Sequence, residues 1–263
     1  MSIHSNNFYS NVLRQSVQVQ VILPEPVNGA GQILPEYTSG DHRLPTVWLL
    51  HGLGGDATSW LRRTDIELLA TQYRVAVVMP ETGRGFYTNM AHGPRYWDYL
   101  THELPTRMRY IFPLSARSED NYLLGNSMGG YGALRYAFTY PQRFAAVAAL
   151  SPVTDLKRFH VEQSAIMPDL ELAFLPAQMQ GTPADLSYLV QQPTNWGPLR
   201  VLMATGDQDM LQSMDEAFKP QLAAVFNDRF EWQLQHGHHD WRLWNQQLPF
   251  AMHWLIKGGW RNV

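Results

Sequence analysis

Three short stretches hold residue types that could cleave an acyl bond. They are Gly125-Asn126-Ser127-Met128-Gly129, Gly206-Asp207-Gln208-Asp209 and His236-Gly237-His238-His239-Asp240. A serine hydroxyl is a poor nucleophile near neutral pH; it attacks a carbonyl when a base, usually histidine, takes its proton and a carboxylate holds that base. Ser127, one of Asp207 and Asp209, and one of the three histidines would supply such a set, in the chain order serine, acid, histidine. The charge that develops on the carbonyl oxygen then needs two backbone N–H donors. Met128, directly after the serine, offers one. The loop His51-Gly52-Leu53-Gly54, after an early apolar run, offers the other. What the chemistry needs from that loop is backbone, which leaves the His51 side chain a structural role.

Each stretch needs an element to aim it. A short apolar strand over 122–124 runs into the Gly-rich corner at Ser127, and a helix follows in which Tyr131, Leu134 and Phe138 recur at helical spacing before Pro141 ends it. G-x-S-x-G alone is common by chance; strand and helix on either side make it a nucleophile on a sharp corner. Gly125 and Gly129 carry no Cβ, so the strand and helix can approach closely there. Residues 200–205 (RVLMAT) form an apolar run that delivers the two aspartates at its carboxyl end, where open α/β sheets place their sites, and Gly206 lets the chain turn before them. Residues 230–235 (FEWQLQ) deliver the histidines in the same way.

The remaining elements follow from the same periodicities. Runs at 46–50, 74–79 and 144–150 are continuously apolar, as expected of strands buried on both faces, whereas 16–23 alternates Val with Gln. Helices are expected at 65–73, 103–112, 213–226 and 241–257. In the last, Trp241, Trp244, Leu248, Met252 and Leu255 share a stripe and Pro249 predicts a kink. Residues 27–45 read as a Gly- and Pro-rich loop, and 83–95, irregular and aromatic, as a candidate binding loop. Residues 151–198 show no strand pattern, only short helical pieces at 170–174 and 183–190, and suit an insertion over the site. Strands alternating with helices imply one doubly wound, mostly parallel sheet, in a single domain over 1–263 with a cap-like insertion at 151–198.

Composition narrows the function classes. The 263 residues are 45% apolar and carry a net charge of −3 without a basic cluster, which disfavours nucleic acid and anionic membrane as partners. There is no cysteine, which excludes disulfides, Cys-ligated metal and thiol catalysis. MSIHSNNFYS has no apolar signal-like core and no apolar run is long enough to span a membrane, so a soluble cytoplasmic protein is expected. The HGHHD run also admits a metal reading, but a site needs ligands from elsewhere, and His51, His92, His102, His160 and His253 form no second ligand-spaced pair. The composition is compatible with a homo-oligomer as well as a monomer.

The motifs HGLGGDATSWLRRTDIE, VVMPETGRGFYTN, HELP, GNSMGGYGALRYA and HHDWRLWNQQ together resemble the tributyrin-esterase branch of the esterase D superfamily, which also holds S-formylglutathione hydrolases and the antigen 85 mycolyltransferases. The resemblance runs from about Asn7 to Leu255. It implies an α/β-hydrolase fold and a serine carboxylesterase that acts on short acyl esters, small molecules, with no cofactor and no metal. Motif by motif it implies Ser127 as nucleophile, His239 as base, Asp209 as acid, and Leu53 and Met128 as the oxyanion amides. Trp60, Phe86 and Tyr87 fall in motifs that border the acyl pocket. The chain departs from the pattern at Asn126, at Pro249 and in having no Cys, the last of which disfavours S-formylglutathione as substrate. Two alternatives stand beside hydrolysis: acyl transfer to an alcohol, and a catalytically silent binding protein of the same fold, which would require a broken triad.

Overall fold

The computed structural model describes residues 1–37 and 42–258. Residues 38–41, within the loop expected over 27–45, lie outside the described residues. Eight strands form one sheet in the order β1-β2-β4-β3-β5-β6-β7-β8. They are β1 (Ser2–Ser10), β2 (Gln15–Leu23), β3 (Thr46–Leu50), β4 (Ala76–Pro80), β5 (Asn121–Asn126), β6 (Ala146–Leu150), β7 (Arg200–Gly206) and β8 (Phe230–Gln235). β1 and β2 form an antiparallel hairpin, and β2 pairs antiparallel with β4. From β4 to β8 every pairing is parallel, so the carboxyl ends of β3, β5, β7 and β8 share one rim.

The apolar runs are continuous because both faces of the sheet are covered. Along the central strands alternate residues part company. Trp48, Leu50, Leu123, Val147, Val201 and Met203 join one core with α5 (Met128–Thr139) and α9 (Gln212–Phe226). Val47, Leu49, Leu124, Ala148, Leu202 and Ala204 join a second core with α2 (Ile66–Tyr73) and α10 (Trp241–Lys257). A period of two therefore sorts each strand between two layers of helix.

Several elements depart from the sequence expectations. β1 was not anticipated: its residues are mostly polar and exposed, and only pairing with β2 makes it a strand. The Glu103 carboxylate then fastens the hairpin turn by accepting from the Ser10 hydroxyl and the Asn11 amide. The helix expected at 103–112 begins earlier, as α3 (Tyr96–Asp98), a π turn (Tyr99–Glu103) and α4 (Leu104–Ile111). A short α1 (Ser59–Arg63) precedes α2. α5 is buried from Met128 to Phe138, not on one face only. Its outer side meets the 151–198 segment, where Tyr131 donates its hydroxyl proton to Ala184 O at 2.7 Å and Arg135 donates from Nε to Pro183 O at 3.1 Å. That segment holds α6 (Leu156–Glu162), which sequence reading missed, α7 (Leu170–Ala173) and α8 (Leu186–Gln191). α10 remains helical through Pro249.

Candidate active site

Ser127 stands on the corner between β5 and α5 with φ 54° and ψ −120°, a conformation that strains any residue with a Cβ. The corner is tight: a Cβ on Gly125 would lie 2.3 Å from Gly129 O, and one on Gly129 would lie 2.3 Å from Leu50 O. Both positions are therefore closed to any larger residue. Ser127 N donates to Leu150 O at 2.8 Å, which ties the corner to the end of β6.

At the ends of β7 and β8 the two remaining loops meet. Here Gly206 is required for contact and not for turning, since a Cβ there would fall 2.2 Å from Gly237 O. Gln208 N donates to that same Gly237 O at 3.1 Å. Asp207 also clips the loops together: its carboxylate accepts from Gly237 N at 3.1 Å and meets His236 Nδ1 at 3.0 Å. Beyond this clip lies Asp209, whose side chain is fully buried, with Oδ1 accepting from Leu211 N at 2.8 Å in the Asx-turn arrangement. Asp240 caps α10 by accepting from Arg242 N and Leu243 N, so His239 stands directly before a rigid helix.

The structure brings Ser127, His239 and Asp209 into one line. His239 Nε2 is 2.9 Å from Ser127 Oγ, and His239 Nδ1 is 2.9 Å from each oxygen of Asp209. Nδ1–H donates to the carboxylate, which leaves Nε2 free to accept the serine proton. Burial pushes the Asp209 carboxyl pKa up, but the hydrogen bond and charge of His239 and the Leu211 amide outweigh it. The carboxyl ends below its ordinary range and is ionised beside His239. His236 is committed to Asp207, and His238 is exposed. Among the described residues no three His, Asp or Glu side chains gather as a metal site.

Near Asp209, Asp215 is completely buried on α9; Thr154 Oγ1 donates to its Oδ1 at 3.3 Å, and Oδ2 is buried without a hydrogen-bond partner among the described residues. Burial first, and the charge of Asp209 in addition, raise its pKa well above 3.8. The folded chain thus keeps a proton that the unfolded chain releases, and the stability this group supports is full below 3.8 and declines as pH rises toward the folded-state value. Asp215→Asn mimics the protonated form, so its Tm is expected to exceed that of the wild type by more at about pH 8 than at about pH 5. Thermal denaturation at the two pH values checks this, and an equal difference at both would contradict it.

A cavity of about 360 Å³ opens over Ser127. Leu53 and Met128 line it, and neither backbone N–H donates to another backbone group among the described residues. Behind the 52–54 loop, His51 is buried; Nδ1–H donates to Gly52 O at 2.9 Å and Nε2 accepts from Thr82 N at 3.2 Å. Burial lowers the His51 pKa, against the opposing pull of the Gly52 carbonyl and Glu81, so the ring is neutral and braces the loop. Phe86 lines the cavity. Trp60 and Tyr87 do not: both are buried beneath it, where Trp60 Nε1 donates to Leu50 O at 3.1 Å and the Tyr87 hydroxyl to His51 O at 2.8 Å. Their polar tips hold the strand end that carries the loop. Sequence reading missed the walls from the 151–198 segment, Val153, Phe159 and Ile166, together with Met210, Leu211 and Trp244.

A mostly parallel sheet with a strained serine, a histidine and a buried aspartate on its carboxyl rim defines a serine hydrolase of the α/β-hydrolase fold. The chain belongs to the putative esterase family, whose profile matches residues 10–255, and it is a carboxylic-ester hydrolase. It is similar to an acetyl esterase of Caldicellulosiruptor saccharolyticus, with 28% identity over 98% of this chain and 99% of that protein. A second relative, an S-formylglutathione hydrolase of Paracoccus denitrificans, is 31% identical over 49% of this chain and 52% of its own length. Among solved structures, the fluorophosphonate-binding serine hydrolase F of Staphylococcus aureus superposes with a TM-score of 0.80. An S-formylglutathione hydrolase of the same organism superposes with a TM-score of 0.82. Each is 30% identical over 97% of this chain and 98% of the other.

Proposed function

We propose that this chain hydrolyses short-chain acyl esters through an acyl-enzyme on Ser127. The observation that carries the reading is the unbroken line from Ser127 Oγ to His239 Nε2 and from His239 Nδ1 to Asp209, each link 2.9 Å long. His239 takes the hydroxyl proton as Oγ attacks the ester carbonyl, and Asp209 stabilises the imidazolium that forms. The Leu53 and Met128 amides donate to the oxyanion. Collapse of the tetrahedral intermediate expels the alcohol, which leaves with the proton from His239. Water, deprotonated by the same imidazole, then releases the acid and restores the serine.

The acyl side of the cavity supports the chain-length preference. Phe86, Val153, Phe159 and Leu211 are among the apolar residues that line the cavity, so in this reading an added methylene meets side chains instead of gaining the ~0.8 kcal/mol of burial that open apolar space would return. The acetyl esterase relative, similar along nearly its whole length, points the same way. On a series of p-nitrophenyl esters, kcat/KM is expected to peak at about two to four acyl carbons and to fall beyond. A maximum at about eight carbons or longer would contradict the reading.

A thioester reading has its own support in the two S-formylglutathione hydrolases, since the proposed machinery would cleave either bond. Including S-formylglutathione in the panel separates the two by relative kcat/KM. Adding an alcohol acceptor and measuring product partition separates hydrolysis from acyl transfer. A small-molecule substrate and a cytoplasmic setting belong to the same proposal. The net charge of −3 without a basic cluster speaks against nucleic acid, and among the described residues no helix is long and apolar enough to cross a membrane.

A further inference from the structure

A second cavity, of about 420 Å³, opens beside the amino ends of β5 and β6, and no residue lines both it and the cavity over Ser127. Arg109 of α4 and Arg143 of the short turn Pro141–Arg143 both line it. Neutral groups hold each guanidinium in place. Arg109 donates from Nε to Ser115 O at 3.3 Å and from Nη2 to Asn121 Oδ1 at 3.0 Å, and its Cζ lies 5.7 Å from the centre of the Trp48 ring. Arg143 donates from Nη1 to Thr101 O at 2.7 Å, with its Cζ over the Tyr140 ring at 4.1 Å. Neither pairs with a carboxylate among the described residues, and the acids nearby in the chain are engaged elsewhere: Glu119 and Asp120 meet Arg117, and Glu103 fastens the β1–β2 turn. Burial pulls the Arg109 pKa below its ordinary value; Tyr136 opposes this, and the nearby charge of Arg143 adds to it.

Two cations held near one another with no anion beside them repel, and a bound anion removes that cost. The cavity offers such a ligand donors and little else. Arginine carries five N–H groups and accepts nothing, so the contacts above leave both guanidiniums with donors to give. The two threonine hydroxyls that line the cavity are already spent on backbone carbonyls, Thr101 Oγ1 on Trp97 O at 2.8 Å and Thr106 Oγ1 on His102 O at 2.9 Å. We infer that this cavity binds an oxyanion, the phosphate or carboxylate group of a small molecule, between Arg109 and Arg143. The planar fork of a guanidinium matches the paired oxygens of either group. Two forks from separate elements suit phosphate better, because it presents more acceptor oxygens than one carboxylate. The site shares no residue with the acyl cavity and needs none of Ser127, His239 and Asp209.

Titration calorimetry on the folded protein, with inorganic phosphate and with citrate as probes at constant ionic strength, tests this. Saturable binding of at least one probe is expected. Arg143→Gln and Arg109→Gln are each expected to weaken it by about tenfold or more, the scale of a lost hydrogen bond between charged groups. Tighter binding of phosphate assigns a phosphate-bearing ligand, and tighter binding of citrate a carboxylate; either supports the site. Arg143→Gln carries the test where Arg109→Gln folds poorly, because Arg143 is exposed whereas Arg109 ties α4 to Ser115 and Asn121. Ester turnover by Arg143→Gln is expected to stay near the wild-type value, so that lost anion binding is not lost folding. Absence of saturable binding of either probe to the wild type, or unchanged affinity in Arg143→Gln, would overturn the inference; the second result would place the bound anion elsewhere on the chain.

Discussion

Ser127→Ala is expected to lower kcat by a factor on the order of 10⁶ while leaving the fold and Tm close to those of the wild type. The size follows from the geometry. Serine, histidine and aspartate are joined by successive 2.9 Å contacts, so in the proposed mechanism they act as a unit, and removing Ser127 disables all of it. What survives is the residual advantage of the oxyanion amides and the pocket, roughly 10³–10⁴ over water in enzymes of this kind. Stability is expected to change little because the φ of 54° that strains Ser127 strains alanine equally, and among the described residues the lost hydroxyl bonds only to His239. Steady-state kinetics with a thermal melt on the same preparation check both halves. A variant that is folded and still within about tenfold of wild-type kcat would mean that the nucleophile lies elsewhere.

Asp209→Asn is expected to cost on the order of 10⁴ in kcat, with a smaller effect on KM. An amide at this position offers His239 a donor on one side, which favours the tautomer whose proton sits on Nε2 and faces Ser127. That imidazole cannot accept the serine proton. The neighbouring carboxylate provides the contrast. Asp207 is exposed and clips the β7 and β8 loops through Gly237 N and His236, so Asp207→Asn is expected to lower Tm slightly and leave kcat within a few-fold of wild type. Kinetics on the pair discriminate between the two acids, and a 10⁴-fold loss that followed Asp207 instead would reverse the assignment.

The contrast between these two aspartates also marks how far the sequence could be read. Both follow RVLMAT, and position after a strand does not separate them; the resemblance chose Asp209, and the structure puts its carboxylate on His239. Asp209 forms the Asx-turn, its Oδ1 accepting from Leu211 N, while Asp207 reaches across to the other loop. Strands β3 to β7 were legible because burial on both faces leaves an uninterrupted apolar run, and the Gly- and His-rich loops at their ends mark the rim. β1 was not, because an exposed edge strand draws its stability from a partner distant in pattern though near in sequence. α6 was missed because only Leu156 and Phe159 of its seven residues are buried, an apolar pair set among charged residues that marks no stripe, yet it brings Phe159 to the cavity. Trp60 and Tyr87 show a different limit. An aromatic with a polar tip suits either a pocket wall or a buried brace, and the carbonyls of Leu50 and His51 that settle the matter are set by tertiary packing.

The proposed hydrolysis stands or falls on Ser127 as the residue that becomes acylated. The most direct measurement treats the folded protein with a serine-directed phosphonate, follows the mass of the intact chain, and maps the modified peptide. One adduct per chain is expected, on Ser127, with activity lost in proportion to labelling and no adduct on Ser127→Ala. An adduct on another serine with parallel loss of activity, or full labelling of the Ser127→Ala protein, would contradict it.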